Sequence, residues 1–579
     1  MSDAQGNGLH PALGPARVIL GFAQGMVLLA LHGAWETHQW PATEPWLMAA
    51  LVCIAFFIPI TVLAGMGTMR FATLMLWTIV GSAVAAGLAM HSIWRESVVN
   101  GREAVSFALI ASLSLGLFVA YHLVAAADAD RRFIASYRSY FDIAAKNAVQ
   151  LGLSLAFVGV FWLLLYLGAA LFELININIL SVILKQDWFI YPVTATVFAA
   201  AVHITDVQVG LINGARNLAL MLLSWLLPVM ALLTVAFLLA LPFVGLGPLW
   251  AAVSATGLLL VAAGVLAVLI NAAYRDGEQD VAYVLRIAAR LAALALVPLV
   301  AIAAYSLWLR IDQHGLTPER VVGVACVVVA ALYAAGYAIA AVWPGRWMRP
   351  LELTNIAAAF VGLGILIALM TPIADPARVA VDDQMRRLRM GLVGPETFDF
   401  AFLRDQAAKY GREALDRLRA DKSSPRAQVI AQKAEDAFNR KIDTPPEPKL
   451  ADVLMQLPVF PQGAKVPESF LQRDWTGERM LPNPNGCTAV EPQYRQCEIY
   501  VLDVTGDQKV DVLLKTWSRV HVFSEGPDGK WRGLGYLDGC WNFDPSMALR
   551  AGHARAIPPE INDVEIDGRR VRVMRSPCE

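Results

Sequence analysis

The sequence predicts a mostly α, polytopic membrane helix bundle of about eleven spans, followed by a soluble α+β domain that contains a small disulfide-stapled sheet. Three observations predict it. Hydrophobic residues make up 57% of the 579 and charged residues only 16%, against about 25% charge in a typical soluble domain, so much of the chain has lipid as its solvent. Apolar runs long enough to cross a bilayer recur as far as Thr354–Pro376 and then stop. Lysine is nearly confined to the tail, with only Lys146 and Lys185 before Lys409. The net charge of −1 averages two unlike halves and says little, and nothing resembles a nucleic-acid-binding domain.

The chain divides into a polar N-terminal tail (1–16), a transmembrane helical region (17–375), a helical segment (376–445) and an α+β domain (446–579). Met1 to Ala16 carries no cleavable signal pattern, and the first apolar run reads as a retained span. Runs of about 17–25 apolar residues fall near 17–35, 46–66, 71–93, 104–126, 148–174, 188–206, 217–243, 248–271, 283–308, 320–343 and 354–375. The seventh is long enough to tilt or to break near Pro228. The sixth is the shortest signal.

Orientation follows from Lys and Arg in the short connections, which favour the cytoplasmic side. A cytoplasmic N-terminus places Arg17, Arg70, Arg131, Arg132, Arg138, Lys146, Arg216, Arg275, Arg286, Arg290, Arg346 and Arg349 inside. It places Arg95, Arg102, Lys185, Arg310 and Arg320 outside. The asymmetry predicts an N-in protein of the bacterial inner membrane, and an odd number of spans puts the tail in the periplasm.

The cysteines give an independent reading. Cys53 and Cys326 lie in apolar runs, where a small buried thiol is the simple account. Cys487, Cys497, Cys540 and Cys578 all fall in the tail, and an even number there suits disulfides in an oxidising compartment. Proximity favours Cys487–Cys497 with Cys540–Cys578 among three pairings. A zinc site is the alternative, but no CxxC pair is present.

Between spans four and five, Phe133, Ile134, Tyr137, Tyr140, Phe141 and Ala144 repeat at helical spacing beside Arg131, Arg132, Arg138 and Lys146. That suits a helix on the anionic leaflet, or equally an extension of span five. In the tail, Phe400, Phe402, Leu403, Tyr410, Leu415 and Leu418 make a helical face. Thr444-Pro445-Pro446-Glu447-Pro448 reads as a linker. The alternating runs 498–504, 510–516, 519–523 and 569–574 read as strands.

Ionisable residues in spans are functional candidates, yet His91, His122, Glu173, His203 and Asp206 all lie toward span ends. The best cluster is cytoplasmic. His203 and Asp206, three apart, share a helix face, and Asn271, Tyr274 and Asp276 close span eight on the same side. Such a set could hold a metal or a charged headgroup; capping and interfacial anchoring explain it more simply. The connection Arg310–Arg320 reads as a helix start, with Thr317 as N-cap and Pro318 at the first position. Asp503, Asp507 and Asp511 stand at positions 1, 5 and 9 of a loop and resemble the calcium loops of FG-GAP-type repeats. Thr505 and Gln508 depart from that pattern, so a hairpin turn without metal is preferred to a Ca2+ site, and no other cofactor is expected. No G-x-S-x-G, Walker or HExxH motif occurs.

Several stretches together resemble a bacterial membrane family catalogued as domain of unknown function 4153: SWLLP (224–228), GLGPLW (245–250), LINAAYRDG (269–277), LRIDQHGLTPERV (309–321), DDQMRRLRMG (382–391) and FDFAFLRDQAAKYGREAL (398–415). The resemblance implies a bacterial integral membrane protein and brings no activity or catalytic residues. The expected function is a non-enzymatic envelope protein whose periplasmic domain binds or senses a ligand or partner protein. The alternatives are a transporter or channel, and a membrane enzyme acting on a lipid-linked substrate. Membrane lipids are the expected partners of the span region.

Overall fold

The computed structural model describes residues 13–96, 106–175, 177–245, 255–277, 281–439, 454, 457–471, 497–515, 520–537, 549–550, 553–556, 564–566 and 569–571. Among them, eleven helices are long and apolar enough to cross a membrane. They are α1 (Leu13–Glu36), α2 (Pro45–Gly65), α3 (Phe71–Glu96), α4 (Phe107–Asp130), α5 (Tyr137–Glu173), α7 (Asp187–Val207), α8 (Val209–Val244), α9 (Ala255–Tyr274), α10 (Tyr283–His314), α11 (Pro318–Val342) and α12 (Pro350–Leu369), with a short α6 (Ile179–Ile183) after α5. The chain forms two compact units, Met1–Asn439 and Arg440–Glu579.

Boundaries differ from the sequence reading where local chemistry extends or stops a helix. Ser136 caps α5 by accepting from the Ser139 N–H at 3.2 Å, and no proline interrupts the next 37 residues. From Tyr137 on, the stretch is therefore an extension of the fifth span, the second of the two readings offered, and α5 is about 55 Å long at 1.5 Å per residue. Helix α8 runs unbroken through Pro228 and Pro242, as membrane helices tolerate. The last span stops at Leu369 because Thr371 precedes Pro372, a position that disfavours helix. Thr317 does sit at the N-cap of α11, with Pro318 at N1, but its side chain makes no capping bond. Cys53 is buried and Cys326 exposed, both as free thiols; Cys326 faces away from the bundle rather than into it.

Small residues set the helix spacing. A Cβ built on Gly21 of α1 would lie 2.5 Å from Ala199 Cβ and 2.7 Å from the Ala195 carbonyl oxygen of α7. At Gly25 it would lie 2.4 Å from Pro192 Cα and 2.6 Å from the Tyr191 oxygen. Gly21 and Gly25 form a GxxxG stripe that brings the α1 and α7 backbones together. Ala288, Ala289, Ala292 and Ala293 do the same on α10, inside a core shared by α8 to α12 and Tyr137. A second core joins α2, α3 and α4 around Cys53, Trp77, Leu113 and Tyr121.

Polar contacts sort by helix end. One face gathers the starts of α1, α3, α5, α8, α10 and α12 with the ends of α2, α4, α7, α9 and α11. Arg17–Asp206, Arg70–Asp128, Arg216–Asp142 and Tyr274–Glu352 all lie there. The opposite face gathers the other ends, through His32–Asp187 and Arg95–Asp375. This is the alternation that eleven successive crossings produce.

The segment after α12 folds onto that opposite face as α13 (Pro376–Arg389), α14 (Phe400–Asp405), α15 (Ala408–Ala420) and α16 (Pro425–Asn439). Asp375 caps α13 by accepting from the Ala377 N–H at 2.9 Å. Phe400, Phe402, Leu403 and Leu415 are buried, with Leu316 of the α10–α11 connection packed against them. Asp383 accepts from the Leu316 N–H, and Gln384 donates to the His314 and Leu316 carbonyls. The 310–320 connection is thus a docking point as well as a helix start, and the segment clusters with the bundle.

The second unit holds a five-stranded sheet in the order β1-β2-β3-β4-β5 and a β6-β7 pair. The strands are β1 (Val459–Phe460), β2 (Glu498–Leu502), β3 (Asp511–Lys515), β4 (Val520–Glu525), β5 (Trp531–Leu537), β6 (Val564–Ile566) and β7 (Arg569–Val571). β1 pairs parallel to β2 and the rest antiparallel. Both sheet faces are covered. Ile499, Val512, Leu514 and Phe523 pack with Phe470 of a short α17 (Glu468–Leu471) on one. Tyr500, Leu513, Val520 and Val522 pack with Leu549 on the other. Cys497 is buried beside the first core. Cys487, Cys540 and Cys578 lie outside the described residues, among which no disulfide pair is complete.

Candidate functional site

An unpaired charge in the low-dielectric part of a membrane bundle is costly, so the charges that sit there are the places to look. Arg17, in the first turns of α1, is 1% exposed. Its Nη2 donates to Asp206 Oδ2 at 2.9 Å and to the Met66 carbonyl at 2.5 Å. Lys146 of α5 donates to the other Asp206 oxygen at 2.9 Å. Asp206, near the end of α7, is 8% exposed and thus carries two cations. Arg17 Nε and Nη1 are buried without acceptors.

One turn deeper, α2, α4, α5 and α7 border an open-sided cavity of about 80 Å³ lined by Ala64, Tyr121, His122, Asn147, Gln150 and Val202 among others. The polar members are spent on near neighbours. His122 Nδ1 meets the Phe118 carbonyl at 2.6 Å and Nε2 meets Asn147 at 3.2 Å, while Gln150 donates to the Val202 carbonyl. Carbon therefore forms most of the wall. His122 stands about two turns before the end of α4, deeper than a span ending at 126 places it.

A second network crosses the same face between α5, α9, α11 and α12. Asn355 Nδ2 donates to Asn271 Oδ1, Asn271 Nδ2 to Tyr337 Oη, and Tyr337 Oη to Asn355 Oδ1, each at 2.7 Å. Tyr137 Oη closes the set at 3.4 Å from Asn271 Oδ1. Tyr274 donates to Glu352 at 2.7 Å. Every amide group here has a partner, which suits a lock between helices.

The cluster read from sequence is thus divided. Asp206 belongs to the Arg17–Lys146 set, Asn271 and Tyr274 belong to the second network, and Asp276 is half-buried in the turn after α9. His203 packs over Gly14, whose built Cβ would lie 2.7 Å from its Nε2, and its Nδ1 is buried without a partner. The sequence reading missed Tyr337 and Asn355, and counted Arg17 and Lys146 only as loop charges. Their signal was there: Lys146 is one of two lysines in the first 408 residues, and Arg17 begins an apolar run.

On the opposite face, Asp375 is fully buried, with Arg95 Nη1 at 3.5 Å and His91 Nε2 at 4.0 Å. Tyr410 of α15 abuts Trp94 there, and burial, with the Asp375 charge adding, pushes its phenol pKa up. In the sheet unit, Asp503 accepts from the Gly506 and Gln508 N–H groups, Asp507 from Lys509, and Asp511 from Val504 and Thr505 at 2.8 Å each. Backbone donors thus occupy oxygens of all three carboxylates. Among the described residues no three His, Cys, Asp or Glu side chains converge as metal ligands would.

A family model described as a domain of unknown function, DUF4153, matches residues 46–418, more than half of the chain. No curated protein and no solved structure matches it.

Proposed function

This chain belongs to the DUF4153 family, and we propose that it is a non-enzymatic, multi-pass protein of the bacterial inner membrane that holds its sheet unit in the periplasm, where that unit binds or senses an envelope component. The observation that carries the reading is the placement of α13 to α16 on the face opposite the start of α1, after eleven helices of spanning length. The basic residues of the connections concentrate on the first face, which makes it the cytoplasmic one. The cysteines of the tail then stand in an oxidising space, where pairing of Cys487, Cys497, Cys540 and Cys578 staples the sheet unit. The buried carboxylates Asp128, Asp206 and Asp375 each face an arginine, which suits a scaffold.

Leu537 on β5 is exposed and gives a position from which contact of the sheet unit with an envelope component can be probed. A photo-reactive residue at Leu537 of the full-length chain, activated in intact cells, tests the reading. A discrete adduct that depends on the native sheet supports the reading. A chain that forms no adduct in cells retaining their envelope contradicts it.

A further inference from the structure

The first-face cavity and the charges above it form a site to which neither the family nor the sheet unit assigns an occupant. Asp206 is one carboxylate shared by two cations, and arginine keeps its charge in any protein environment. The set therefore carries an uncompensated positive charge. Arg17 also leaves Nε and Nη1 buried without acceptors, a cost that one anion with several oxygens removes. Directly beneath lies the carbon-walled cavity. Lys146 and Gln150, and Asp206 and Val202, are four apart on α5 and α7, so the charged set and the cavity lining share the same helix faces one turn apart. At about 80 Å³ the space is several times the roughly 10–15 Å³ that one water needs, and its wall offers water few partners.

A charged upper end and an apolar lower end, at the level where a bundle meets lipid headgroups, match one molecule. We propose that this site holds an anionic phospholipid of the first-face leaflet, its phosphate on Arg17 and Lys146 and the first few methylenes of one acyl chain in the cavity between α2, α4, α5 and α7. Charge complementarity selects an anionic lipid over a zwitterionic one, because a choline group brings back the positive charge the site already has in excess. The site needs only the bundle, so it stands or falls apart from the role given to the sheet unit.

The test is native mass spectrometry of the full-length detergent-purified protein, titrated with phosphatidylglycerol, with phosphatidylcholine and with inorganic phosphate. The wild type is expected to retain one phosphatidylglycerol in preference to phosphatidylcholine by about tenfold, the order of the repulsion between a choline cation and the excess charge about 10 Å away at an effective dielectric of about 20. Millimolar phosphate leaves that adduct in place. Lys146→Gln, at a partly exposed position, is expected to erase the preference between the two lipids. Ala64→Phe, which fills the cavity, is expected to lose both. Equal retention of the two lipids by the wild type overturns the proposal whatever the variants do. Displacement by inorganic phosphate, or an undiminished adduct in folded Ala64→Phe, overturns the acyl-chain site.

Discussion

A single added carbon tests the packing of α1 on α7. In Gly25→Ala the new Cβ meets Pro192 Cα at 2.4 Å and the Tyr191 oxygen at 2.6 Å, against an ordinary carbon contact of about 3.5–4.0 Å. Both obstacles are backbone, so no rotamer change relieves them and α1 must retreat by about 1 Å. Overpacking of this kind costs about 1–3 kcal/mol, and the helix-propensity gain of about 1 kcal/mol from removing a helical glycine offsets only part of it. Retreat also stretches the 2.9 Å Arg17–Asp206 contact. Gly33, on the same helix, has nothing within 4 Å of its built Cβ, so Gly33→Ala receives the propensity gain without the clash. The assay is the temperature at which half of each purified variant remains monodisperse in detergent. Gly25→Ala is expected below the wild type and Gly33→Ala at or above it. Equal values for the two variants refute the backbone contact.

Other expectations follow from the same contacts. Asp206→Ala leaves two cations facing each other in a buried site and is expected to cost about 3–5 kcal/mol, read as a lowered melting point. Asn271→Leu strands Asn355 and Tyr337, whereas adding Asn355→Leu removes part of the stranded set; the double variant is expected to melt above the sum of the two single losses. Glu498 is half-buried, and although burial alone raises its pKa, hydrogen bonds from Arg550 and Tyr500 and the Arg550 charge bring it below the ordinary value. Its contribution is present above the usual Glu pKa of about 4.3 and is lost as pH falls through the lower folded value. The sheet unit of Glu498→Gln is therefore expected to lose less stability than the wild type between pH 5 and about 3, measured by proteolysis of the full chain.

The spans were legible because each is a long apolar run that only a helix can carry through lipid. Their alternation followed from counting. What the runs do not encode is which helix ends on one face are neighbours. His203 and Asp206 were grouped with Asn271 and Tyr274 because all four close spans on one side, yet the partner of Asp206 is Arg17, 189 residues away. The stripe at Gly21 and Gly25 was visible but ambiguous, since glycine is common in membrane helices and Gly33 on the same helix touches nothing. In the tail, β2, β3 and β4 fell within the short β-branched and aromatic runs read as strands, although both of their faces are covered. β5 did not, because Gly533 and Gly535 interrupt its pattern, and β1 is two residues long.

The account rests on the tail leaving the membrane on the side opposite the N-terminus. Paired reporters test it directly: alkaline phosphatase, active only outside, and a fluorescent protein that matures only inside, each fused after Asn439 and after Gly277. The account predicts active phosphatase and no fluorescence at Asn439, with the reverse at Gly277. The same signal at both positions, or the two exchanged, contradicts it.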